Sequence, residues 1–574
     1  LESIGILPTP EQLNAFIDDN ASEKKTELVD QLLAEGVSYA DHWLTFWNDL
    51  LRNDYTGTGF ITGGRKQITN WLYSALKGNM PYDQMTRELI NAKPDAAGFI
   101  NGIKWRGSVN ASQTRDMQFA QNVSQVFLGI NMKCASCHDS FIDRWTLQEA
   151  YDLAAVFSEE PLELERCDIA TGKMATPKWM FPEIGQIDPK ANKNERLKQL
   201  AKLMTHPDNG RFTRTIVNRI WAQLMGRGIV HPVDAMHTKP WSEDLLDFLA
   251  VQFAKDGYDL RKFLKFVLTS EAYGSQTDRL ESLPGEEYVY KGPVPKRMTA
   301  EQLMDTIWQV TGTNPNQSEA KVDRSPKTAP RSVSESKDLP KIEKVTAKWI
   351  WAPDPQTRKI KLRTSIDLEK QPAFTSLLAT CDNAFSLRVN GKFVTSSREW
   401  TRPAYHEVSD FFKAGKNLIE VNAEMFGGGS GFIAQFSFGK EKDVNTLVTD
   451  QNWEVQQDNK WIPAKAFHKY GAGPWKRILD QAIPTKPGQS AFDGPSVRAA
   501  LVKNDFLMRS LGRPHRDQVV TSRPAELSML QAIDLANGAI LSKYLNEGAN
   551  NLKAKATNSQ QFINWLYEHT LGRL

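Results

Sequence analysis

The sequence predicts a multidomain, mainly α-helical protein with one inserted all-β sandwich. Three observations predict it. Apolar residues recur at helical spacing through residues 1–160, 194–273 and from 496 onward. Residues 311–341 almost lack large apolar side chains, and such a stretch cannot bury enough surface to offset its ordering entropy. Between 344 and 439 the apolar period switches from helical to two.

The first helix starts at Thr9-Pro10-Glu11-Gln12, an N-cap hydroxyl followed by Pro and by Gln at the third position. A second carries Leu28, Leu32 and Leu33 and is expected to stop at Gly36. Tyr39 to Leu51 places Trp43, Phe46, Trp47 and Leu50 on a core-facing helix. In the segment from Arg214 to Met225, Ile216, Ile220 and Leu224 form one face. Arg214, Asn218 and Arg219 read as a solvated polar face, with a buried Arg–Asn cluster holding an acidic group as the alternative. A further helix spans Thr299 to Val310.

In the β-region, Phe385-Ser-Leu387-Arg-Val389 and Phe393-Val394 flank Asn390-Gly391, a strong hairpin signal. Asn417 to Ala423 alternates in the same way, and Trp349 and Trp351 sit on a strand with at least one in the core. Helix returns from Ser496, most clearly at Ala525 to Gly538. The expected divisions are 1–192, a helical domain with a Cys/His motif, and 193–310, a helical partner domain. A linker at 311–343, the β-sandwich at 344–470 and a second part of the partner domain at 471–574 follow.

Composition narrows the functions. Among 574 residues, 71 Lys and Arg balance 68 Asp and Glu to a net charge of +3. That argues against a nucleic-acid binder held by a general basic field and leaves only a local patch open. No apolar run approaches the roughly 18 residues of a membrane span. The N-terminus, LESIGILPTP, lacks an initiator Met, a basic region and an apolar region. It reads as trimmed, with an export signal upstream.

Chemistry concentrates in Cys134-Ala-Ser-Cys137-His138. Two thiols three positions apart can form thioethers to both vinyl groups of one haem, and the adjacent imidazole then serves as proximal iron ligand. The alternatives are zinc or another metal on Cys134, Cys137, His138 and Cys167, or a redox dithiol. Met174, Met180, His206, Met236 and His237 are candidates for the sixth ligand, and none has a signature spacing. Asp139 and Arg144 are read as a solvated pair, or else as supports for the His and a haem propionate. A Cys167–Cys381 disulfide is open to a chain outside the cytoplasm, but the two cysteines belong to different domains, which weighs against it. Glu159, Glu160, Glu163, Glu165 and Asp168 are read as a solvated acidic face rather than a glycosidase carboxylate pair.

The run Val126-Phe-Leu-Gly-Ile-Asn-Met-Lys-Cys-Ala-Ser-Cys-His-Asp139, with Asp143-Arg144-Trp145 and Ala154-Ala155-Val156-Phe157, resembles a planctomycete cytochrome-associated family of unknown function. Leu7-Pro8-Thr9-Pro10 and Asn79-Met-Pro-Tyr-Asp83 match it too. His206-Pro207 through Trp221, Gly226-Arg-Gly228, Arg513-Pro514 and Leu530 to Gly538 resemble its C-terminal partner domain. Ala347-Lys-Trp349-Ile-Trp351, Asp382-Asn383, Val389 to Lys392 and Gly415-Lys-Asn417 resemble galactose-binding-like jelly-roll modules. Ser140 stands where the cytochrome family often has a second His.

The resemblance implies an exported, periplasmic c-type cytochrome with a glycan-associated module. Electron transfer or redox chemistry linked to polysaccharide use is the expected function, with a redox partner protein and an oligomer as candidate partners. A non-enzymatic glycan-binding scaffold with a structural metal is the alternative. Trp400, in a polar loop-like stretch, is the candidate for stacking on a sugar ring, with Asp382 and Asn390 as further carbohydrate candidates.

Overall fold

The computed structural model describes all residues except 55–67, 278–287, 316–317, 325–344, 373, 398–399, 401–402, 427–428, 440–444, 483–495, 525, 553–557 and 573–574. The expected linker at 311–343 falls largely outside the described residues. Two compact units emerge. One joins Leu1–Asp323 to Val497–Leu574, and the other is Arg324–Ser496.

The first unit opens with α1 (Pro10–Asp18), whose Thr9 and Gln12 form the expected capping box. α2 (Lys24–Ala34) and α3 (Gly36–Leu50) follow. The C-cap expected at Gly36 is corrected, because Gly36 opens α3. A Cβ there would lie 3.0 Å from the Lys77 carbonyl oxygen, so the residue serves a close backbone approach. Trp43, Trp47 and Leu50 are buried, as their spacing predicts.

α4 (Thr69–Lys77), α5 (Tyr82–Ile90), α6 (Arg115–Leu128) and α7 (Leu147–Ala155) lead to a two-stranded ribbon, β1 (Glu163–Arg166) and β2 (Ile169–Met174). Then come α8 (Lys193–Met204), α9 (Gly210–Met225), α10 (Glu243–Lys255), α11 (Leu260–Thr269), α12 (Glu271–Gly274) and α13 (Ala300–Thr311). One apolar core gathers side chains from Val29 to Leu268 and includes Leu501 from the returning segment.

The expected solvated face of α9 is also corrected. Ile216, Ile220 and Leu224 are buried, but so are Asn218 and Arg219. The loop after Gly226 folds back on the helix. There the Asn218 amide donates to the Val230 and Val233 carbonyls at 3.0 Å each and accepts from the Val230 N–H at 2.9 Å. Only Arg214 keeps a surface role, paired with Asp247 and Glu243.

The second unit holds β3 (Lys348–Trp351), β4 (Lys359–Leu368), β5 (Thr375–Asp382), β6 (Ala384–Val389), β7 (Lys392–Ser397), β8 (Ala404–Glu407), β9 (Gly415–Glu424) and β10 (Gly431–Phe438). β11 (Asn445–Val448), β12 (Glu454–Gln457), β13 (Lys460–Pro463) and β14 (Lys465–Lys469) complete it. One antiparallel sheet runs β14-β3-β10-β5-β8, with β11 also on β10, and the other runs β13-β12-β4-β9-β6-β7. The Asn390-Gly391 hairpin forms as predicted. Val389 pairs with Lys392, and both turn residues have positive φ, 52° and 77°. Trp349 and Trp351 are both fully buried.

α14 (Phe506–Ser510), α15 (Met529–Asn537), α16 (Ala539–Leu552) and α17 (Ser559–Leu571) close the chain in the first unit.

The predicted fold class is corrected by these elements. The described residues are 40% helical and 17% strand, with several antiparallel sheets in the C-terminal half. Helix therefore falls short of a majority, and the two antiparallel sheets of the second unit do not form a clear jelly roll. Strands also form the ribbon inside the helix-rich unit, and the second unit carries 3-10 turns at Ser409–Phe411 and Ile478–Ala482. Apolar spacing overestimated helix because long non-helical connections, such as 129–146 and 226–242, also carry buried apolar side chains.

Candidate functional site

α6 delivers the Cys/His motif. Its N-terminus is capped by the Thr114 hydroxyl, and Gly129, with φ 60°, ends it. The Gly129 and Ile130 N–H groups close on the last-turn carbonyls, donating at 3.1 Å to Gln125 and Ser124. The Arg219 guanidinium caps the same end, donating to the carbonyls of Gln125 (2.7 Å) and Val126. Charge at a helix C-terminus is favourable with this sign.

The motif itself is a tight turn. Cys137 and His138 both donate their N–H to the Cys134 carbonyl, at 3.0 and 3.1 Å. Ala135 and Ser136 are buried beneath it, with the Gln121 amide on the Ser136 hydroxyl at 2.9 Å. Cys134, Cys137 and His138 remain half-buried at the surface.

His138 Nδ1 lies 2.7 Å from the Asp139 carbonyl oxygen. A carbonyl only accepts, so Nδ1 carries the hydrogen and Nε2 keeps its lone pair. This second hydrogen bond is the kind that fixes the tautomer of a metal-ligating histidine. The ring tilts against Phe141 at 4.6 Å between centroids. Phe141 and Ile142 are 87% and 66% exposed. These two side chains leave apolar surface in water beside the imidazole and the two thiols.

Asp139 and Arg144 have structural roles. Asp139 Oδ1 accepts the Leu147 N–H at 2.9 Å at the start of α7. Arg144 lies over the Trp145 ring at 3.9 Å and 3.6 Å from Glu149. With Met180, Lys178 and Trp179 it lines a shallow cleft of about 350 Å³.

The β1–β2 ribbon was not legible in the sequence. Its tip is Cys167-Asp168, both at positive φ (49° and 66°), a two-residue turn without the usual Asn-Gly signal. The tip is pinned to the motif. Cys167 N–H donates to the Cys137 carbonyl at 3.1 Å, and Asp168 Oδ1 accepts the Ala111 N–H at 2.7 Å. Glu163 Oε1 accepts the Gly172 N–H within the ribbon, so this part of the acidic cluster is a ribbon fitting.

The sixth-ligand candidates separate. Met174 is exposed and pairs with Glu163 at the end of the ribbon away from the tip, about 16 Å along the strand. His206 sits after α8, its Nδ1 accepting the Asp208 N–H at 3.2 Å. Met236 packs over Gly129, and its sulfur accepts from Asn218. His237 Nδ1 stands 3.6 Å from Asp143 Oδ2 in the loop that follows the motif. That carboxylate also accepts Trp145 Nε1 at 3.0 Å. Among the described residues no group of three or more His, Cys, Asp or Glu is arranged to hold a metal ion. All four cysteines are free thiols, and Cys381 is buried in β5.

The carbohydrate candidates do not converge. Trp400 is half-buried rather than exposed. It packs against the cluster of Trp349, Leu378, Tyr405 and Trp475, and its carbonyl accepts from Thr380 at 2.9 Å. Arg398 and Glu399, which precede it in the polar stretch, lie outside the described residues. Asp382 accepts Trp475 Nε1 at 2.7 Å, and burial pushes its carboxyl pKa up. The Asn390 amide is occupied on both sides, donating to Phe411 and Asn417 and accepting from Leu418. Asp382 and Asn390 flank opposite ends of β6, about 20 Å apart.

Sequence reasoning also missed a buried ionic cluster. Arg523 lies 2.7 Å from both Asp49 and Glu301, Arg516 lies 2.8 Å from Asp49, and Arg513 lies 3.3 Å from Glu301. It ties α3 and α13 to the returning segment.

Two family models match parts of the chain, the second of them running across the boundary between the two units. Residues 1–161 match PSCyt2, a protein of unknown function (DUF1549), and residues 196–384 match PSD1, a protein of unknown function (DUF1553). The pairing of these two families of unknown function along one chain is thereby shown, while residues 513–538 lie outside the matched range. An alpha-L-rhamnosidase of Streptomyces avermitilis is 24% identical over 178 residues, 26% of this chain and 17% of that protein. The chain thus spans less than a fifth of that relative. Among solved structures, that rhamnosidase complexed with L-rhamnose shares 24% identity over 24% of this chain and 16% of its own, with a TM-score of 0.22. The Pleurotus ostreatus lectin in its apo form shares 23% identity over 23% and 44%, with a TM-score of 0.21.

Proposed function

We propose that the chain is an exported c-type haem protein acting in electron transfer or redox chemistry linked to polysaccharide use. The observation that carries this reading is His138, whose Nδ1 is tied to a carbonyl while Nε2 is left free at the surface beside Cys134 and Cys137. These residues fit haem c. The two thiols would form the thioethers, His138 Nε2 would be the proximal ligand, and Phe141 and Ile142 supply apolar contact. When bound, the group supplies a one-electron iron couple. The chain's own residues hold it, fix the imidazole tautomer and set its exposure. His237 is the sixth-ligand candidate tied to the motif loop through Asp143. Export follows from the chemistry of attachment, which takes place after translocation.

The chain, fused to an export leader, is produced in a host that matures c-type cytochromes and extracted with acid–acetone. Haem is expected to stay on the polypeptide, one per chain by pyridine haemochrome, and to be lost in Cys134→Ala and Cys137→Ala. Stoichiometric zinc without a Soret band would overturn the reading. The polysaccharide link is supported by the sequence likeness to the rhamnosidase over a quarter of the chain. A glycan array probed with the full chain tests it, and a blank array removes that part alone.

A further inference from the structure

The ribbon tip brings a third thiol to the motif. Cys167 and Cys137 are joined by a backbone hydrogen bond of 3.1 Å. Residues joined by backbone hydrogen bonds in a ladder have Cα atoms roughly 4.5–5.5 Å apart, inside the window a disulfide spans, and this bond makes Cys137 and Cys167 such close neighbours. The Cys167 sulfur already faces its neighbour, with Sγ 3.8 Å from the Cys137 carbonyl oxygen. The Asp168 bond to the Ala111 N–H fixes the tip from its other side, so the ribbon holds Cys167 beside the motif. Cys167 is exposed, whereas Cys137 is half-buried.

We infer that Cys167 is a functional third thiol of this site, forming a reversible disulfide with Cys137 in the haem-free chain. The exposed Cys167 thiolate attacks the sulfur–sulfur bond of a disulfide oxidant, such as oxidised glutathione, and one thiolate of the oxidant leaves. The Cys137 thiolate then attacks Cys167 Sγ and releases the second part of the oxidant. The Cys137–Cys167 bond forms as that mixed disulfide breaks. Two electrons pass to the oxidant, and the two thiol protons end on its thiol products or in the buffer. Because Cys137 cannot hold both this bond and a thioether, the disulfide and a doubly attached haem exclude each other. The pair would therefore gate haem attachment by redox state. The disulfide concerns the haem-free chain and stands or falls whether or not haem is ever attached.

The test uses the full chain produced without cytochrome maturation and equilibrated in glutathione buffers from reducing to oxidising. Thiols are trapped by alkylation and disulfides mapped by peptide mass spectrometry. The expected result is a Cys137–Cys167 linked peptide with Cys134 alkylated. The link should persist in Cys134→Ser and vanish in Cys167→Ser, with unchanged far-ultraviolet circular dichroism in both. A Cys134–Cys137 link with Cys167 alkylated in the wild-type chain, or three alkylated thiols across the whole series, would overturn it.

Discussion

Arg219 Nη2 lies 2.8 Å from Asp234 Oδ1, and Nε of the same guanidinium lies 3.0 Å from that oxygen. The two other contacts of this side chain are carbonyls at the end of α6. One buried cation therefore fixes the helix that delivers Cys134, Cys137 and His138 to the loop between α9 and α10.

Arg219→Ala takes a buried cation from the Gln125 and Val126 carbonyls and leaves the partly buried Asp234 with the Gln125 amide at 3.4 Å in its place. Removing one member of a buried ion pair costs about 3–5 kcal/mol. Urea unfolding of the full chain should show a loss of that size, and Arg219→Lys should recover only part of it. A lysine cannot reproduce the planar fork that spans carboxylate and carbonyls.

Gly129→Ala meets two obstacles. Its φ of 60° disfavours any side chain, and a Cβ would lie 2.6 Å from Met236 Cγ. Left-handed strain and overpacking together should cost about 2–4 kcal/mol. Thermal unfolding checks the loss. Met236→Ala in the same chain should relieve the overpacking and leave the strain.

Glu301 makes the first unit acid-sensitive. Burial alone would raise its carboxyl pKa, but the guanidiniums of Arg523, Arg513 and Arg516 outweigh that and hold it well below the usual 4.5. A depressed folded pKa gives stability that is complete above about pH 4.5 and lost as pH falls further, because the unfolded chain takes up the proton first. Stability measured from pH 7 to pH 3 should therefore fall below pH 4.5. Glu301→Gln should flatten that part of the profile while lowering stability at pH 7 by about 3–5 kcal/mol.

Asn390→Ala removes three hydrogen bonds that join the β6–β7 turn to Phe411, Asn417 and Leu418. It also places alanine at positive φ. A cost of about 2–3 kcal/mol is expected in the second unit. Differential scanning calorimetry of the full chain should show the transition of that unit moving while the other stays in place.

Features that depend on a few neighbouring residues were legible in the sequence. The capping box at Thr9 closes within three residues, and the Asn390-Gly391 turn needs two residues that tolerate positive φ. The Cys134, Cys137 and His138 spacing is chemistry written in five consecutive positions. What the sequence left open depends on partners far along the chain. Arg219 reads as solvated until Asp234 and the end of α6 close over it. Glu301 and Arg523 meet across 222 positions. Cys167 reaches Cys137 only through a ribbon whose turn carries no sequence signal. Trp400 reads as an exposed loop residue until Trp349 and Trp475 are beneath it. Local hydrogen bonding is set by adjacent residues, whereas desolvation is set by whatever packs on top. Burial, charge pairing and the third thiol were therefore decided by the tertiary structure.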